Sequence, residues 1–202
     1  MLASILRPHY YVPMFTSAQL EICNQQLNTF DVVQGAWEQE SNGFEANAHH
    51  VLTHLVRTLV GKDFNNADIV RSDIAPDSVQ YALRLGRWIG LAPADLPFKD
   101  EVAPRVMIRG VATRLGSLPW PTAAFAEATR NLAHNLHEFG HASTNEQARL
   151  DRKEHIGACA GMLLISADFQ SNQYDFDLAQ AFTERLDYLR NRFGIRHPQT
   201  RD

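Results

Sequence analysis

The sequence predicts an all-α protein, a helical bundle of two stacked helical-hairpin modules related as an internal pseudo-dimer. Apolar residues recur at i, i+3 and i+4 through most of the 202 residues. Cap and turn residues fall at the ends of those stretches. Few segments show the apolar–polar alternation of a strand exposed on one face.

Taken in chain order, residues 17–36 are helix-compatible, with Thr16 or Ser17 as cap and Gly35 as break. The stretch SNGFEANAHHVLTHLVRTLVGKD opens with cap and turn residues, then places Val51, Leu52, Leu55, Val56, Leu59 and Val60 at helical spacing. After a turn at NNAD, APDSVQYALRLGRWIGL is the next helix. Pro76 suits its first turn, and Val79, Ala82, Leu83, Leu85 and Ile89 form its stripe. APADLPFKDEVAP is rich in breakers and reads as a linker. Residues 102–115 read either as a short strand or as a helix interrupted by Gly110. A long helix follows over 122–142, then a turn at STNEQ and a helix over 148–170. LAQAFTERLDYLRNRF closes the series and stops at Gly194. This divides the chain into a first module (1–96), a linker segment (97–121) and a second module (122–202), together one compact domain.

The hydrophobic content of 45% is enough for a sizeable core, and the net charge of −4 comes from both signs mixed along the chain. No basic block marks a nucleic-acid surface. Cys23 and Cys159 stand far apart and outside any CxxC pattern, so a disulfide framework is not implied. No apolar run is long enough to span a bilayer, and the N-terminal stretch lacks the form of a secretion signal. The expectation is a cytoplasmic protein without a membrane partner.

Chemistry concentrates in the histidines. His134, His137, Glu138 and His141 lie at i, i+3, i+4 and i+7, on one helix face. Two histidines four apart can give two nitrogens to one cation, and the glutamate between them can hold a water. The next helix returns antiparallel, which sets Glu154 and His155 roughly opposite His137 and Glu138. The hairpin thus gathers His137, His141, Glu154 and His155 as metal ligands, with Glu138 as ligand or general base. Such a nitrogen–carboxylate set favours zinc, iron, manganese or nickel over magnesium. The plainer alternative is a solvated face that binds nothing. A second cluster, His49, His50 and His54, faces Asp73 and Asp77 if the first hairpin closes. There the plainer reading makes Asp73 a helix cap and the histidines an interface. Arg84, Arg87 and Trp88 read as a surface patch, and Cys159 as a buried small apolar residue.

The two halves share a plan. HHVLTHLVRTLVGKD and RNLAHNLHEFGHAS are histidine-bearing helices followed by a polar turn and a second helix ending in xDL. The second half, HEFGHAS…KEHIGACAGMLLISADFQSNQYDFDLAQAFTERLDYLRNRFG, resembles the MazG-like all-α nucleoside triphosphate pyrophosphohydrolases. That family carries an E-E-x-x-E helix, a turn, an E-x-x-D helix and a basic last helix. The resemblance puts His137, Glu138 and His141 at the E-E-x-x-E positions and Glu154 at the first position of E-x-x-D, with Gly157 in place of the Asp. In the first half Asp77 matches the Asp, while Thr58, Leu59 and Lys62 replace the acids. It implies a metal-dependent nucleotide pyrophosphohydrolase or a degenerate relative, a divalent cation (magnesium in the family, zinc or manganese from these donors), a nucleotide substrate, and assembly into a homo-oligomer. The five residues HEFGH also match the H-E-x-x-H pattern of zinc metallopeptidases, with Glu154 or His155 as third ligand and Glu138 as base. A third expectation is a non-enzymatic helical protein that works by binding.

Overall fold

The computed structural model describes residues 15–34, 43–96, 120–141 and 145–194. Within them the chain is helical, and no strand occurs among the described residues. The helices are α1 (Ser17–Gln34), α2 (Gly43–Gly61), α3 (Ala67–Ile69), α4 (Ala75–Trp88), α5 (Trp120–His141), α6 (Glu146–Gln173) and α7 (Leu178–Phe193). The ambiguous stretch 102–115, and nearly all of the linker segment, lie outside the described residues.

Local chemistry accounts for the helix ends. At α1, Thr16 Oγ1 accepts from the Gln19 N–H and Gln19 Oε1 accepts from the Thr16 N–H, a reciprocal capping box. Asn145 caps α6 by accepting from Ala148, and Asp177 caps α7 by accepting from Gln180. Gly194, at φ 65°, closes α7 in the left-handed conformation that glycine adopts without penalty.

The helix expected to start near Ala75 begins earlier. Asn66, rather than Asp73, caps the run, accepting from the Asp68 and Ile69 N–H groups. The run then passes through a π turn at Val70–Ile74, where the Ala75 N–H donates to Val70 O, five residues back. Pro76 follows immediately. It has no N–H to give Ser72, and its ring crowds that carbonyl, so a locally widened turn relieves both problems. Asp73 therefore sits inside a continuous helical run.

α5 and α6 form an antiparallel pair, and residues 142–144 between them lie outside the described residues. The register of the pair is fixed near both ends. Ser166 Oγ donates to Pro121 O at 2.8 Å, and Arg152 faces Glu138 at 3.6 Å. α4 lies chiefly on α6 and also against α7, α1 lies on α7, and α2 runs along α5 while touching α4 at few points. The duplication into two equivalent hairpins is not visible in this packing, because α2 and α4 do not form a close pair as α5 and α6 do.

The core between these helices holds Leu20, Leu27, Phe30, Leu55, Leu83, Phe125, Leu132 and Phe182, all less than 3% exposed. Each such side chain contributes roughly 1.5–3 kcal/mol on burial. α4 is the central helix, with every residue from Ala75 to Gly86 buried. Its polar side chains must therefore find partners inside the protein.

Candidate functional site

The histidine–glutamate stripe predicted on α5 lies at the open end of the α5–α6 pair. His134 and His137 are exposed and Glu138 is half-buried. The stripe therefore carries no burial penalty. His141 ends α5, and its side chain lies outside the described residues. On α6, Glu154 and His155 are also exposed. α6 overhangs α4 here, since its 28 residues span about 42 Å and α4 has only 14.

Arg152, rather than Glu154, stands opposite Glu138, close to the register the sequence suggests. His155 Nδ1 lies 2.6 Å from Asp151 O. A carbonyl can only accept, so Nδ1 donates and the neutral ring keeps its lone pair at Nε2. A ring fixed through one nitrogen with the other left as acceptor is the usual state of a histidine ligand. This donor chemistry fits a transition-metal cation. Among the described residues, however, no three His, Cys, Asp or Glu side chains already converge on one metal-sized point.

Gly157, the position the family pattern gives to an aspartate, is buried. A Cβ there would lie 3.0 Å from Leu91 Cδ1 and 3.1 Å from Ile89 Cδ1. The site stripe on α6 thus stops at Glu154 and His155, and one turn later the helix belongs to the core.

The denser polar constellation is on α4. Arg185 of α7 donates from Nε and Nη2 to the Asp77 carboxylate, both at 2.8 Å, and Nη2 also bridges Asp73. Lys62, just after α2, pairs with Asp73. One turn along, the Tyr81 ring meets His54 at a tilt with ring centres 5.6 Å apart, and His54 meets His50 at a steeper tilt at 4.6 Å. Further along, Arg84, 3% exposed, donates to Asp31 of α1 at 2.5 Å, and Arg87 donates to the same carboxylate at 3.1 Å. The Gln80 amide oxygen, turned toward Arg84, accepts at 3.0 and 3.1 Å.

Arg84 and Arg87 are therefore not a surface patch. Arg84 is a core ion-pair residue, because α1 supplies Asp31. No local signal in the sequence joined Asp31 to Arg84 or Arg185 to Asp77, since the partners are 53 and 108 residues apart. The spacing of Asp73 and Asp77 and their nearness to the His50–His54 turn were legible.

Burial drives the ionisation of this cluster. It raises the Asp77 carboxyl to about 6 against the opposing pull of Arg185, with the Asp73 charge adding to the rise. Burial also lowers His54 to about 4, helped by His50, Arg57, Arg84 and Arg185. His50 is lowered by burial and Arg84. Tyr81 is raised by burial and by Asp77. Cys23 and Cys159 are buried, and burial pushes each thiol up to about 12, so neither is a nucleophile near neutrality.

A cleft of about 310 Å³ lies between the start of α1 and the α6–α7 turn, lined in part by Gln19, Asp168, Asn172 and Asp177, and touches neither cluster. No helix among the described residues is long and apolar enough to cross a membrane. No family model matches the chain, and no curated protein or solved structure matches it either.

Proposed function

We propose that the chain is a metal-dependent nucleotide pyrophosphohydrolase of the MazG-like plan, or a catalytically reduced relative, with its cation at the open end of the α5–α6 pair. The observation that motivates this reading is a contact across the α5–α6 pair: Arg152, three residues before His155 on α6, meets Glu138 of the HEFGH stretch. His137, His141, Glu154 and His155 would hold a zinc- or manganese-class cation. A bound cation would polarise a phosphate chain and acidify a water. Glu138 would take the proton from that water, once drawn away from Arg152. Arg152 would then be available to a phosphate oxygen instead.

The zinc-peptidase reading has less support. Its metal helix ordinarily packs against a sheet, and α5 is flanked by α2 and α6. A binding protein without catalysis remains the third reading, and the same experiment separates all three. Metal content is measured on untagged protein and on His137→Ala, followed by assays of pyrophosphate release from nucleoside triphosphates and of peptide cleavage. The proposal expects about one transition metal per chain, lost in the variant, and pyrophosphate release abolished by Glu138→Gln. Bound metal with peptide cleavage supports the peptidase. Absence of metal and of both activities supports binding alone.

A further inference from the structure

The Asp73–Asp77–Arg185 node lies apart from the proposed metal site. Its two carboxylates are neighbours because the same guanidinium nitrogen, Arg185 Nη2, contacts both. Asp77 is only 9% exposed, and the Asp73 charge acts on its carboxyl. Two carboxylates this close, with little water around one of them, do not both ionise readily.

We propose that the Asp77 carboxyl, set beside Asp73, takes up a proton in mild acid with Arg185 held in place, and that this uptake is how the α4–α7 joint responds to acid. The proton comes from solvent and binds an Asp77 oxygen. Every element around the pair contributes to this outcome. α2 presents His54, with Arg57 beyond it, and Lys62 follows α2 and pairs with Asp73. α4 adds Tyr81 and Arg84, and α7 adds Arg185. His54 does not supply the compensating charge, since burial and three arginines keep it neutral. The raised Asp77 carboxyl, at about 6, agrees with this arrangement. A raised carboxyl binds its proton more tightly folded than unfolded. Its contribution to stability is thus complete below the ordinary aspartate range and lost as pH rises through about 6.

The test compares thermal unfolding of the full chain with Asp77→Asn, whose amide cannot titrate, from about pH 7.5 down to about pH 5. The wild type should gain about 2–4 °C on the variant over that range. Carbon-13 spectra of aspartate-labelled wild type should also show one carboxyl titrating near 6, moved down by Asp73→Asn. An offset between the two proteins that stays constant with pH, or labelled carboxyls that all titrate in the ordinary aspartate range, would overturn the proposal. If Asp77→Asn does not fold, the wild-type spectrum decides alone.

Discussion

Arg185 on α7 closes a two-pronged bond onto Asp77 of α4, with Nε and Nη2 each 2.8 Å from a carboxylate oxygen. This fork geometry belongs to arginine, and a lysine could not reproduce it. It ties the last helix to the central one, with Asp73 and Lys62 extending the bridge to the end of α2.

Removing the fork should be more harmful than its own net contribution suggests. Arg185→Met leaves Asp77 buried beside Asp73 without a cation, and breaking a buried pair in this way costs about 3–5 kcal/mol. Part of that loss is recovered when Asp77 takes a proton, so the damage should be smaller in mild acid. Denaturant midpoints of the two proteins near neutrality measure the loss. A change within about 0.5 kcal/mol, the range of ordinary surface substitutions, would mean the fork contributes nothing to stability.

His54 pulls the opposite way. Its folded value, about 4, is below the ordinary 6.5, so the folded protein holds it neutral while the unfolded chain lets it charge. The stability it contributes is present above 6.5 and lost as pH falls toward 4. Asp77 gains stability over nearly the same window, so the wild-type stability curve should be flat there. His54→Phe keeps the ring against Tyr81 and removes the titration. Its unfolding midpoint should therefore rise, relative to wild type, as pH falls from about 6.5 to about 4.5. Parallel curves would rule out a titrating His54.

Much of the fold was legible because helix formation is written in local spacing and caps. The stop at Gly194 was read from residues next to it, and the Asn145 and Asp177 caps that the structure adds are equally local. The early start at Asn66 was missed because Pro76 looked like a first-turn proline, whereas the π turn lets it sit well inside a continuing helix. The Arg84–Asp31 pair was missed for a different reason. Whether an arginine on a helix faces solvent or a buried carboxylate depends on which distant helix lands on it. The α5 stripe was legible as a face, and its exposure follows from α6 outrunning α4.

Gly157 tests the family pattern directly. Restoring the aspartate with Gly157→Asp would place a carboxylate against the Leu91 and Ile89 methyl groups, where it has no partner to offset lost hydration. The variant should lose about 2 kcal/mol or more in chemical denaturation and should bind no more metal than wild type. A variant of unchanged stability with tighter cation binding would show that α6 presents this position to the site after all.

His155 provides the most direct check on the cation. Its Nδ1 already donates to Asp151 O, so Nε2 is the acceptor available to a metal. A ligand that binds only the folded chain stabilises it by about 2.7 kcal/mol at one hundred times its dissociation constant. For a chain of this length that is a rise of roughly 5–11 °C in the unfolding midpoint. Zn²⁺ added to untagged, chelator-treated protein should therefore raise the midpoint by several degrees. His155→Ala and His137→Ala should each remove most of that rise, while His49→Ala, on the separate α2 cluster, should keep it. Equal responses in all four proteins would place the zinc elsewhere or make it adventitious, and the α5–α6 pair would lose its claim to be a metal site.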